Sequence, residues 1–122
     1  MDKKNKIIVI VGATASGKSS LGIKLANHLS SEIINADSRL FYRGLNIGTA
    51  KPTKSELSLT KHHLIDILDP GEKFTLNNFL ILVRRQIEKL HSEKKIPIIV
   101  GGSGQYIWSL IEGWNIPKVK PD

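Results

Sequence analysis

The stretch Gly12-Ala13-Thr14-Ala15-Ser16-Gly17-Lys18-Ser19 constrains the fold more than any other part of the chain. It matches the pattern G-x-x-x-x-G-K-[ST] in full, and it has the flanks that the pattern needs. Before it, Ile7–Val11 is a continuous apolar run, the mark of a parallel strand covered on both faces. After it, Leu21, Leu25 and Leu29 recur four apart and predict a helix over 19–29 with one apolar stripe. Glycines let the backbone wrap so that successive N–H groups point at phosphate oxygens. The following helix N-terminus adds partial positive charge. Lys18 supplies an ammonium, and the Ser19 hydroxyl is a donor suited to a magnesium ion that bridges phosphates. The motif specifies a di- or triphosphate ligand without saying which.

The rest of the chain repeats the strand–helix alternation. Glu32–Ala36 predicts a second strand, ending at Asp37-Ser38. Residues 39–60 hold Gly44, Gly48 and Pro52 without clear periodicity and predict a surface loop with short helical pieces. Leu64–Leu68 predicts a third strand, closed by the turn Asp69-Pro70-Gly71. Thr75 is placed to cap a helix with Phe79, Leu80, Val83, Ile87 and Leu90 on one face. Arg84 and Arg85 fall on its polar side, and Lys94-Lys95 follow its end, where cations are favoured. Ile96–Val100 predicts a further buried strand, Gly101–Gly104 a tight turn, and 105–112 a helix with Tyr106, Ile107, Leu110 and Ile111 inward. The alternation predicts an α/β fold, a P-loop NTPase-like parallel sheet with flanking helices. Ligands in such folds sit at the C-terminal strand ends. Three candidate sites lie there: 12–19, Asp37-Ser38 and 101–104.

Composition narrows the function. The 122 residues carry 18 Lys+Arg against 11 Asp+Glu, a net +7, which suits an anionic partner. Fourteen of the cations are Lys and four are Arg, a poor composition for base readout. There is no cysteine, which excludes a disulfide scaffold, a thiol nucleophile and Cys-ligated zinc. No apolar run approaches the ~20 residues of a membrane span. The basic start is followed by too short an apolar run for a signal peptide, so a cytoplasmic location is expected.

At the second edge, Asp37 has two readings: a carboxylate that takes a proton or holds magnesium, or a helix N-cap. At the third, the glycines serve either a substrate or the turn itself, and Ser103 either caps a helix or contacts a ligand. Adjacent side chains on a strand point to opposite faces, so His62 and His63 are expected not to share a metal. His28 and His91, near helix C-termini, receive no chemistry.

Several blocks together resemble one family, the tRNA dimethylallyltransferases (isopentenyltransferases). They are 13–18, Ile34-Asn-Ala-Asp-Ser38, Tyr42-Arg-Gly44, Ile47-Gly-Thr-Ala-Lys-Pro52, His62-His-Leu-Ile-Asp66, Asp69-Pro70 and Pro97–Gly104 followed by Tyr106. The resemblance implies transfer of a dimethylallyl group from its pyrophosphate to the exocyclic amine of the adenine beside the anticodon. It implies that Gly12–Ser19 hold the pyrophosphate with magnesium on Ser19 and that Asp37 is the general base. It further implies that Asp37, Ser38, Arg39, Leu40 and Ser103 meet the tRNA anticodon loop. Ala13 stands where the family usually has Pro, Ser19 and Ser103 where it has Thr, and Asn46 where Asp is frequent. Arg39-Leu40-Phe41 stands where it has Met-Gln-Val. Members are much longer, so residues 1–114 are expected to form the N-terminal part of the core. Residues 115–122 would lead toward an inserted tRNA-binding domain, and this stretch alone is expected to transfer little. The residues keep other functions open: a small-molecule kinase using ATP, an isopentenyltransferase acting on free adenine nucleotides, or a non-catalytic pyrophosphate- or tRNA-binding fragment. The resemblance implies a monomer; the sequence itself leaves the oligomeric state open.

Overall fold

The computed structural model describes residues 6–12, 18–44, 51–102 and 105–113. Strands β1 (Ile8–Val11), β2 (Ile33–Asn35), β3 (His62–His63) and β4 (Ile98–Gly101) form one sheet in the spatial order β1-β4-β2-β3. Every neighbouring pair is parallel, with Val9 opposite Ile99, Ile34 opposite Ile99, and Ile33 opposite His62. Parallel neighbours require crossovers, and helices supply them. They are α1 (Lys18–His28), α2 (Lys54–Leu59) and α3 (Leu76–Ser92), and α4 (Gln105–Gly113) follows the last described strand. This is the expected α/β architecture. The expected tail 115–122 lies outside the described residues.

The period-2 alternation of strand side chains divides the core in two. Ile33 and Ile98 face α1, where they pack with Ile23 and Ala26. Their neighbours Ile34 and Ile99 face the other way, onto Phe79, Val83, Ile87 and Leu90 of α3 and Ile107 and Leu110 of α4. The apolar face predicted for α3 is the buried one, except that Leu80 is half-buried. Thr75 caps α3 as expected, accepting from Asn78 N–H while the Asn78 side chain accepts from Thr75 N–H, 3.0 Å each. Thr53 and Glu56 make the same reciprocal box at the start of α2.

Four expectations are revised. The stripe Leu21-Leu25-Leu29 is only partly the inward face of α1: Leu25 and Leu29 pack half-buried against the core, but Leu21 is 49% exposed, and Ile23 and Ala26 are the buried positions. Gly22 sets this rotation, because a Cβ there would sit 2.9 Å from Val100 Cγ2, so the backbone itself lies against the sheet. The run Ile7–Val11 is only half-buried, since β4 is its one strand neighbour among the described residues. The strand expected over 64–68 is absent: Leu64 and Asp66 adopt positive φ (66° and 55°), which breaks an extended strand. Pairing occurs two residues earlier, at His62–His63, with one further bridge between Tyr42 and Leu68. Finally, the stretch after Asp37 is not wholly a surface loop. Ser38–Phe41 forms a 3₁₀ turn with Leu40 and Phe41 buried. Phe41 meets Phe74, Phe79 and Tyr106 at ring-centre distances of 5.2, 5.9 and 5.9 Å.

Candidate functional site

The described residues that open the three expected sites, Gly12, Asp37 and Gly101, lie at one sheet edge. Val11 lies opposite Gly101 and Asn35 opposite Val100, so β1, β4 and β2 end side by side. Gly12 N–H donates to Gly101 O (3.3 Å) and Ala36 N–H to Val100 O (2.8 Å), carrying the pairing to the edge. Gly101 makes the approach possible. A Cβ there would sit 2.9 Å from Ala36 Cβ and 3.0 Å from Ala36 C and O. Glycine is needed at this point for closeness to β2, a reason that the turn reading of 101–104 did not contain. Lys18 and Ser19 open α1. Ala13–Gly17 and Ser103 lie outside the described residues, as does most of the 47–52 block.

Asp37 follows β2 and caps the 3₁₀ turn, its Oδ1 accepting from Arg39 N–H at 3.0 Å. The N-cap geometry is thus real, and it leaves the carboxylate at the edge. The Arg39 guanidinium closes on it, Nε donating to Oδ1 (3.3 Å) and Nη2 to Oδ2 (3.1 Å). That fork holds the Arg39 cation firmly protonated through the hydrogen bond and charge of Asp37. The Asp37 side chain is 12% exposed and that of Arg39 53%. Ser38 is half-buried and Leu40 is buried. At this turn, then, Asp37, Ser38 and Arg39 are the side chains within reach of a ligand.

The turn is braced from one side by residues 64–69. Asp66 N–H donates to Leu40 O (2.9 Å), Ile67 and Leu68 N–H to Phe41 O (2.8 and 2.9 Å), and Arg43 N–H to Leu68 O (2.8 Å). Lys51 Nζ joins Tyr42 O (3.0 Å) to the Asp66 carboxylate, and Arg43 pairs with Asp69 at 2.9 Å. Asn35 was not singled out from sequence, although a polar residue closing a buried apolar strand is a signal. It is 3% exposed.

Charged groups at the opposite end of the sheet do different work. Glu32 Oε1 lies 2.6 Å from His63 Nε2 and its Oε2 2.9 Å from Lys95 Nζ. Burial raises the Glu32 pKa, but these two partners outweigh it and hold the carboxyl below its usual 4.5. Burial pushes the His62 pKa below 6.5, against the opposing pull of the Thr60 carbonyl, which accepts from Nδ1–H at 2.8 Å. His62 and His63 thus have separate partners. Both lowered groups act in one direction. Each contributes stability above its unfolded value that is lost as pH falls through its folded one. The melting temperature is therefore expected to hold near neutrality, decline below about pH 6.5 through His62, and decline again below about 4.5 through Glu32. His62→Gln should remove the first decline and keep the second; melting curves from pH 8 to 4 measure both, and an unchanged first step refutes the assignment.

A parallel sheet whose first strand leads through G-x-x-x-x-G-K-S into a helix defines a P-loop NTPase-like α/β domain. The comparison with known proteins is narrower: a family model described as IPP transferase matches residues 40–122, and the chain belongs to that family. It is 48% identical to the tRNA dimethylallyltransferase of Herpetosiphon aurantiacus over 116 residues, 95% of this chain and 37% of that protein. It is 50% identical to that of Lactococcus lactis subsp. cremoris MG1363 over 114 residues, 93% of this chain and 39% of that protein. Among solved structures, the full-length tRNA isopentenylpyrophosphate transferase of Bacillus halodurans superposes with TM-score 0.84 at 41% identity, covering 97% of this chain and 39% of the other. A eukaryotic dimethylallyltransferase acting on tRNA superposes with TM-score 0.80 at 38% identity, covering 86% and 26%. The chain thus spans about two-fifths or less of the length of these relatives. Among the described residues no helix is long and apolar enough to cross a membrane.

Proposed function

We propose that this chain carries the pyrophosphate site and the general base of a cytoplasmic tRNA dimethylallyltransferase. One observation supports this above the rest: in a member of the IPP transferase family, the Gly12 turn, Asp37 and the Gly101-Gly102 turn end on one sheet edge. In this reading Gly12–Ser19 bind dimethylallyl pyrophosphate. Asp37, Ser38 and Arg39, with Leu40 packed beneath them, and Ser103 by resemblance, meet an adenine drawn out of the anticodon loop. The C–O bond of the dimethylallyl ester breaks and pyrophosphate leaves with the electron pair. The exocyclic amine nitrogen bonds to the freed carbon, and its proton passes to the Asp37 carboxylate. Backbone N–H groups of the glycine-rich turn and the Lys18 ammonium receive the charge that develops on the leaving group.

The donor chemistry fits a hard divalent cation: Ser19 brings a hydroxyl to the first turn of α1, the ligand type that magnesium takes. Magnesium held there, when bound, supplies positive charge to the phosphate oxygens.

Calorimetric titration tests the site on the chain itself. Dimethylallyl pyrophosphate should bind, more tightly with magnesium present, and Lys18→Ala should weaken it about ten- to a hundredfold, the worth of one charge-assisted contact. Equal affinity in the variant would remove the site from Gly12–Ser19. Tighter binding of ATP than of dimethylallyl pyrophosphate would favour a kinase.

A further inference from the structure

We propose that Asn35 is the positioning residue for Asp37, and this rests on the general-base reading above. The backbone ladder between β2 and β3 stops at Ile34–His63, one residue short of the edge. The Asn35 side chain takes over where it stops. Its Nδ2 donates to Leu64 O and to Asp37 O, 3.0 Å each, and its Oδ1 accepts from Asp37 N–H at 3.0 Å. A flipped amide would set its NH₂ against an N–H and its oxygen against two carbonyls, so only this orientation works. One side chain therefore holds both polar groups of the Asp37 backbone.

It also ties them to Leu64, whose positive φ of 66° turns the chain just after β3. Three bonds on a side chain that is 3% exposed leave the Asp37 peptide little freedom. The direction of the carboxylate then follows, because Oδ1 is committed to Arg39 N–H two residues on. Asn35 touches no reacting atom in this arrangement. It acts by holding Asp37 at a fixed distance from the turn after β1, and misplacement by about 1 Å can cost roughly a hundredfold in rate.

The test combines a kinetic cycle with an activity-free measurement. In the intact protein, dimethylallyl transfer to an anticodon stem-loop RNA is measured for wild type, Asn35→Ala, Asp37→Asn and the double variant. Asn35→Ala is expected to lower kcat about ten- to a hundredfold, leave KM for dimethylallyl pyrophosphate within about twofold, and cost nothing further when Asp37 is already Asn. An equal loss in both backgrounds would overturn the positioning role. A normal rate in Asn35→Ala beside a crippled Asp37→Asn would do so too, whereas a normal rate in Asp37→Asn would sink the general-base reading itself. Amide hydrogen exchange on the 122-residue chain decides the structural claim without turnover. Asn35→Ala should speed exchange at Asp37 and Arg39 about tenfold or more and leave the Ile8 amide, at the far end of the sheet, unchanged. Uniform acceleration would mean a purely structural residue. If Asn35→Ala does not fold, Asn35→Ser, which keeps one hydroxyl, is expected to show the same local pattern in smaller measure; its absence would overturn the proposal.

Discussion

Replacing Asp37 by Asn is expected to slow dimethylallyl transfer by about 10²–10⁴-fold, the usual worth of a general base, with the affinity for dimethylallyl pyrophosphate nearly unchanged. The variant is informative because it is nearly isosteric. An Asn side-chain oxygen can still accept from Arg39 N–H, so the cap of the 3₁₀ turn survives. What is lost is the second anionic oxygen, which Arg39 Nη2 now holds at 3.1 Å, and with it a proton acceptor. Single-turnover measurements in the intact protein, with the pyrophosphate substrate saturating, isolate the transfer step. A variant that lost pyrophosphate affinity and kept its transfer rate would make Asp37 part of the phosphate or metal site instead.

Phe79→Ala should cost about 3–5 kcal/mol of stability, the range for deleting a buried aromatic ring. Phe79 is fully buried on α3, its ring 5.0 Å from Tyr106 of α4 and 5.9 Å from Phe41 of the 3₁₀ turn. A cavity there loosens three elements at once, and small domains have only about 5–15 kcal/mol in total. Chemical denaturation at constant slope measures it, with Phe79→Leu as a milder control. A loss under about 1 kcal/mol would mean that Phe41 and Tyr106 close the gap.

The two predictions differ in how far their residues could be read from the chain. Phe79 stood out because local pattern suffices: Val83, Ile87 and Leu90 repeat its face, and Thr75 marks where the helix begins. Strand β4 was legible from its short apolar run alone. The surroundings of Asp37 were not. They depend on Leu64 and Asp66 entering positive φ, which Leu rarely adopts and which no local pattern marks. With that change the expected strand over 64–68 is absent, pairing falls instead at His62–His63, and Leu64 O is left for the Asn35 side chain. The inward face of α1 was read only in part, at Leu25 and Leu29, because a stripe of leucines counts apolar residues, whereas the closest contact with the sheet is made where Gly22 has no side chain. The carboxylate at the strand end was visible in the sequence; that an arginine two residues on would fork onto it was not, since spacing alone does not fix a side-chain direction.

The strand order has a consequence for how the protein is made. Strands β1 and β2 are not neighbours; β4, the last of the described strands, lies between them. During synthesis at about 5–20 residues per second, Val9 waits roughly 5–18 s for Ile99 to leave the ribosome. Until then β1 has no described strand beside it and β2, which leads to Asp37, has only β3, with the apolar edges that β4 will cover facing outward. Insertion of β4 closes both edges and joins the two halves of the ligand site in one event. A nascent chain would therefore gain pyrophosphate affinity late and abruptly, and would need a chaperone's protection longest in the interval just before Gly101 appears.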